Sequence, residues 1–351
     1  MSSRKTSQRL CEAAEDYWPE GHRISHMTVF LGRGECGGHV TLLFTVSDEV
    51  EDPVEQGSLG AGLCVEDGVE VVAYGEPGEF GLKISFESAQ GNRSLYETVL
   101  DTLVEEIPEA GDVAWEIGVR LALPVSQGFG MSASGAVAAA LAFQRAMGLP
   151  HEESLRRSYS IAHRVERQRS TGLGDVTALA AGGVERRLEA GAPYHGPLLR
   201  RGPGRAEGWS CATPIVLAWR PDAGKHTSGY IDDPVWKEAI SQAGSKHMLA
   251  LSEGDWGVGR WEELLTAANA FASDSGLRDD SSRAELLSLV EAAMGGCGLS
   301  EEAVAVLCML GESVAVVPRD AQVGVDWVGS LLAELEGLGL QAYKTVVGRV
   351  S

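Results

Sequence analysis

The 351-residue chain reads as an α+β protein of two domains. Three observations predict this. Residues 114–123 alternate, with Trp115, Ile117, Val119, Leu121 and Leu123 on one face, as a half-buried strand requires. A Gly- and Ser-rich loop follows, and then a run of Ala, Val, Leu and Phe to Met147 with the composition and length of a buried helix. Past residue 208 the order strand, three helices, strand, helix, strand predicts a small sheet with helices on one face. The connection Gly191–Gly208, rich in Gly, Pro and Arg, divides the chain into domains 1–208 and 209–351.

In order, residues 1–23 are polar and unpatterned, and a poorly ordered arm is expected. Between Ile24 and Thr45, short apolar runs flank GRGECGGH at 32–39, which reads as a hairpin or loop. Glycines at 57, 60 and 62 precede a strand expected over Val69–Tyr74, and Gly81–Glu87 gives a second strand. Leu95, Val99, Leu103 and Ile107 mark a helix over Ser94–Ile107. His151–Arg169 is a helix with Leu155, Ala162 and Val165 inward, broken by Gly172 and Gly174 in STGLGD. A strand follows at Val184–Leu188. In the second half, strands are expected at Pro214–Trp219, Ser313–Pro318 and Ala342–Val350. Helices are expected at about 234–251, 258–274 and 283–294 and at Trp327–Leu338. There are no repeats or low-complexity segments.

The composition, 44% hydrophobic, suits a soluble globular chain, and no apolar run approaches the ~18 residues of a membrane span. The N-terminus lacks the apolar centre of a secretory signal, so the cytoplasm is expected. Cys11, Cys36, Cys64, Cys211, Cys297 and Cys308 form no C-x-x-C pair and read as reduced thiols. A net charge of −21 argues against a nucleic-acid or anionic-membrane partner. Local positive charge gathers at Arg156, Arg157, Arg164, Arg167 and Arg169, mostly a solvated face, with one or two placed to reach an anionic substrate.

The stretch PVSQGFGMSASGAVAAA, Pro124–Ala140, organises the chain. Gly128 and Gly130 permit backbone angles and close approach that a side chain would forbid. Main-chain amides can then converge on an anion where a helix begins, with its unpaired donors and partial positive charge. By itself a Gly/Ser turn before an Ala-rich helix is also a plain tight connection. Phosphoryl transfer needs, besides the cradle, a cation, an oxygen ligand for it, and a carboxylate at the acceptor hydroxyl. Ser132 can offer a hydroxyl and Glu166 a carboxylate to Mg2+, and Asp175, nine residues beyond Glu166, sits past a Gly-flanked turn. Read from the residues alone, Glu166 equally fits the helix charge pattern RVERQR, and Asp175 fits a helix cap or turn former. No histidine is assigned a role.

The spacing Pro-x-x-x-Gly-x-Gly-x-Ser-x-Ser-Gly from Pro124 resembles the phosphate loop of the GHMP small-molecule kinases, and no Walker loop occurs in the chain. Together with DPVEQGSLGAG at 52–62, ERQRSTGLGDV at 166–176, AAGGVERRLEAGAP at 180–193 and EAVAVLCMLGESVAVVP at 302–318, it resembles the archaeal pantoate kinases, a branch of that superfamily. The resemblance implies a two-domain GHMP kinase fold, with a ribosomal-protein-like N-terminal domain, a ferredoxin-like C-terminal domain and the site in the cleft between them. It implies ATP-dependent phosphorylation of the terminal hydroxyl of pantoate for coenzyme A synthesis, and by family habit a homodimer. It also implies that Pro124, Gly128, Phe129, Gly130, Met131, Ser132, Ala133, Ser134 and Gly135 hold the ATP phosphates. Ser132 and Glu166 would bind Mg2+, and Asp175 would be the catalytic aspartate. Leu59 stands where a basic side chain is expected in this branch. A GHMP kinase of mevalonate or another small hydroxy acid, and a non-catalytic nucleotide-binding regulator, are the alternatives.

Overall fold

The computed structural model describes residues 29–87, 91–221 and 233–348, so the arm expected at 1–23 lies outside the described residues. The first half opens with two long strands, β1 (Phe30–Phe44) and β2 (Gly60–Pro77), paired antiparallel. Then come β3 (Gly81–Phe86), α1 (Arg93–Glu106), β4 (Val113–Leu121), α2 (Met131–Ala146), α3 (His151–Gln168) and the short α4 (Asp175–Ala181). Strands β5 (Val184–Glu189), β6 (Tyr194–His195), β7 (Arg200–Arg201) and β8 (Arg205–Trp209) close this half. The second half is β9 (Thr213–Trp219), α5 (Pro234–Leu251), α6 (Trp261–Asp274), α7 (Ser281–Gly296), β10 (Ala303–Leu307), β11 (Ser313–Pro318), α8 (Val328–Gly337) and β12 (Gln341–Val347).

Ten strands form one mixed sheet. Its main path runs β10-β11-β9-β12-β2-β4-β3, with β1 and β5 also on β2 and β8 on β5. All pairs are antiparallel except β3 with β4, whose ends are joined by the crossover helix α1. The expected boundary at 208/209 falls between β8 and β9, and hydrogen bonding continues past it: β9 pairs β12, and β12 meets β2 at Val347 and Val65. Among the described residues no helix is long and apolar enough to cross a membrane.

The Gly-rich run 32–39 is not a hairpin or loop but the middle of β1. Its glycines set a distance. A Cβ on Gly32 would lie 2.2 Å from the Ala142 carbonyl oxygen, and one on Gly34 would lie 2.0 Å from that of Ala138. Two residues along a strand match one turn of a helix here, so bare strand backbone lies against small-residue helix. Helix α2 is buried almost all round, from Met131 to Gln144. Trp115 of β4 meets Phe143 of α2 edge-on, with centroids 5.0 Å apart. Strand β2 likewise starts at Gly60, ahead of the expected Val69, because its first glycines also lie within the sheet.

Candidate active site

The phosphate-loop candidate leaves β4 at Leu121 and enters α2 at Met131. Gly128 and Gly130 take φ of 79° and 67°, the left-handed region that glycine adopts without a Cβ penalty. Space is closed as well: a Cβ on Gly128 would lie 2.9 Å from both the Cys308 carbonyl oxygen and the Gly311 amide nitrogen. Gly130 caps α2 without a side-chain hydrogen bond, so the first-turn amides of a 16-residue helix face the loop.

This loop forms one wall of a cleft of about 560 Å³. Gly128, Phe129, Gly130, Met131 and Ser132 line it, as do Glu166 and Asp175. Pro124, Ala133, Ser134 and Gly135 are not among the lining residues. Ser134 is turned into the protein, where its Oγ donates to the Cys36 carbonyl at 2.6 Å and accepts from the Val69 amide at 3.1 Å. It pins α2 to β1 and β2. Of the five clustered arginines, Arg169 reaches the cleft, and it donates to Ser94 Oγ at 2.8 Å. Arg157 and Arg164 pair with glutamates on the outside.

Glu166, on the last turn of α3, is buried. Its Oε1 accepts from Ser132 Oγ at 2.5 Å and from Thr171 Oγ1 at 2.7 Å, while its Oε2 is buried with no hydrogen-bond partner. Burial pushes this carboxyl up to about 7, against the two hydroxyl hydrogen bonds. An orphaned carboxylate oxygen beside a hydroxyl fits a hard cation that takes one or two protein oxygens, as Mg2+ does. Asp175 is the first residue of α4, just past Gly174. A Cβ on Gly172 would lie 2.4 Å from Glu166 Oε2 and 3.3 Å from Asp175 Oδ2. The two acids therefore face a common space, and the missing side chain at 172 keeps it open.

Behind Asp175 stands a group that reading the sequence did not single out. His39 of β1 is fully buried; its Nδ1 lies 2.6 Å from Asp175 Oδ1 and its Nε2 lies 3.0 Å from Glu185 Oε1. Thr41 Oγ1 donates to Asp175 Oδ1 at 3.2 Å. Arg187 Nη1 is 3.5 Å from Glu185 Oε1, and Arg187 lines the cleft. Burial alone would lower the His39 pKa, but hydrogen bonds and charge from Asp175 and Glu185 outweigh it and raise it. Burial alone would raise the Asp175 pKa, but the His39 hydrogen bond and charge, then Arg187 and Thr41, hold it below the usual carboxylate value. Asp175⁻, His39⁺, Glu185⁻ and Arg187⁺ thus alternate in sign. Glycines on β2 make the room. A Cβ on Gly62 would lie 2.6 Å from His39 Nε2 and 3.0 Å from Glu185 Oε1, and one on Gly60 would lie 2.2 Å from Arg187 Nη2. A usable sequence signal lay in Val184–Leu188, where Glu185 and Arg187 sit two apart on a predicted strand and so share a face.

Comparison with known proteins bears on the fold that carries this site. Residues 94–183 match the GHMP kinases N terminal domain. The chain is 34% identical over 167 residues to a pantoate kinase of Thermococcus kodakarensis, across 46% of this chain and 53% of that protein. The chain spans about half the length of the curated relatives it matches. A solved phosphotransferase described as related to the CoA biosynthesis pathway superposes with a TM-score of 0.70 at 23% identity, covering 92% of this chain and 98% of that one. The mevalonate kinase of Staphylococcus aureus MRSA252 superposes with a TM-score of 0.57 at 15% identity, covering 91% and 99%. Residues 94–183 thus match the GHMP kinases N terminal domain, and the chain as a whole has the GHMP kinase fold.

Proposed function

We propose that the protein transfers the γ-phosphoryl group of ATP to the terminal hydroxyl of pantoate, a step in coenzyme A synthesis. The observation that carries this reading is the shared space of Glu166 Oε2 and Asp175 Oδ2 at the start of α2. Backbone amides from Gly128 to Ser132 hold the phosphates, and Arg169 adds positive charge to the same cleft. Ser132 and Glu166 would hold Mg2+, which would neutralise charge on the β- and γ-phosphates. Since Glu166 is pushed up to about 7, its protonation competes with the cation below neutral pH.

Asp175, held as a carboxylate by His39, accepts a hydrogen bond from the acceptor hydroxyl and aims its oxygen at the γ-phosphorus. As that oxygen bonds to phosphorus, the bond to the β–γ bridging oxygen breaks, ADP leaves, and the hydroxyl proton passes to the carboxylate. A carboxylate of lowered pKa is a weak base, so orientation and charge dominate its contribution. Arg187 supplies the cation for the acceptor's carboxylate: it is buried, lines the cleft, its Nε has no hydrogen-bond partner, and its Nη1 has only the 3.5 Å ion pair to Glu185. It takes over what Leu59 cannot do, since Leu59 packs against the apolar core.

Incubating the protein with Mg-ATP and either pantoate or mevalonate, and resolving the products by phosphorus NMR, tests the substrate. Phosphopantoate is expected, and phosphomevalonate formed in its place would reject the reading. In the same assay Asp175→Ala should lower kcat by about 10²- to 10⁴-fold with ATP affinity nearly unchanged.

A further inference from the structure

Arg283 is fully buried in the first turn of α7. A cation there opposes the helix dipole, so local preference does not explain it. Its contacts do. Arg283 Nε donates to the Gly311 carbonyl at 3.0 Å and Nη2 donates to the Leu310 carbonyl at 2.8 Å. The adjacent Ser282 Oγ donates to Glu312 Oε2 at 3.1 Å. The turn between β10 and β11 is therefore gripped from behind by the start of α7. Two neighbouring carbonyls taken by one planar fork is a task for guanidinium rather than ammonium.

The front of the same turn presses on the phosphate loop. A Cβ on Gly311 would lie 2.0 Å from the Gln127 carbonyl oxygen and 2.6 Å from the Gly128 amide nitrogen. Ser313 Oγ donates to the Gln127 carbonyl at 2.5 Å. A third side is tied to the acid network: the Met309 amide donates to the Thr41 carbonyl at 3.0 Å, and Thr41 Oγ1 bonds Asp175.

We infer that Arg283, which touches neither substrate, is a positioning residue for nucleotide binding. By holding the Leu310 and Gly311 carbonyls, it fixes the turn against Gln127 and Gly128 and so sets the aim of the loop amides. This rests on reading the cleft as a nucleotide site. The test is calorimetric titration with Mg-ATP, steady-state constants for ATP and pantoate, and the unfolding midpoint, on wild type, Arg283→Lys, Arg283→Met and Gly311→Ala. Arg283→Met should weaken ATP binding and raise KM for ATP about tenfold, with KM for pantoate changed far less, because a loop misaimed by a fraction of an ångström loses its phosphate hydrogen bonds. Arg283→Lys, keeping the charge and one donor nitrogen without the fork, should recover part of the loss. Gly311→Ala should act on the same contact, so its effect on ATP affinity should not add to that of Arg283→Met in the double variant. If Arg283→Met does not fold, the Lys variant decides. A folded Lys variant with a lower midpoint but wild-type constants for ATP would reduce Arg283 to a packing residue and overturn the inference. Wild-type protein that binds no Mg-ATP would instead overturn the reading of the cleft.

Discussion

At His39, burial and charge pull the imidazole in opposite directions, and charge prevails. The linkage follows in sign. A raised histidine pKa stabilises fully below its ordinary 6.5, and that stability is lost as pH rises through the folded value. A depressed aspartate pKa stabilises above its ordinary 3.8, and that stability is lost as pH falls through the folded value. Both contributions are complete between those two ordinary values. His39→Gln leaves Asp175 and Glu185 facing each other without the cation, so a loss of about 3–5 kcal/mol is expected near pH 5.5. Urea denaturation of both proteins across pH should show this difference shrinking toward strong acid and toward alkali; a difference flat with pH would mean that His39 is neutral. Resemblance to the GHMP kinases singled out Ser132, Glu166 and Asp175 as candidates in the sequence, and the structure places all three on the lining of one cleft. Glu185 and Arg187 could be read as sharing a strand face, but their meeting with His39 was not legible, because β2 must first pair β1 on one side and β5 on the other.

Among the elements, β1 and α2 show what a glycine run can mean. The sequence offers a turn at 32–39, since Gly-rich segments usually bend, and periodicity is silent where side chains are missing. The structure uses Gly32 and Gly34 for contact with the backbone of α2. Gly34→Ala should therefore cost about 1–3 kcal/mol, as overpacking against main chain does. It should also raise KM for ATP, since α2 begins where the proposed phosphate loop ends. Gly329, in α8 with open space around its Cβ position, is the contrasting site. There the same change to Ala should be neutral or stabilise by about 0.5–1 kcal/mol. Parallel denaturation curves compare the two. Most other elements were legible from periodicity: α5 spans Pro234–Leu251 and β11 spans Ser313–Pro318, as expected, and β4 buries Trp115, Ile117, Val119 and Leu121 together. The short helix α4 was hidden because Gly172 and Gly174 announce a break, not a restart.

For the whole molecule, the order of strands and helices foretold α+β but not the continuity of the sheet. The Gly191–Gly208 connection reads as a boundary, yet β12 bridges β9 to β2, and Phe44 at the end of β1 meets Phe271 of α6 at 5.8 Å. Apolar contact and hydrogen bonds both cross the seam. The halves should therefore unfold together, with calorimetric and van't Hoff enthalpies equal in a single transition; two resolved transitions would show separable units. Such a seam is invisible in sequence, because a lone bridge between Val347 and Val65 has no local signature. The bare start of β2 has a wider consequence. Where Gly60 and Gly62 leave the ribbon naked, strands that never pair behave as electrical neighbours, and ionisation of Asp175 is governed by side chains that are missing. Drift at those two places would leave Asp175, His39, Glu185 and Arg187 intact while disconnecting them.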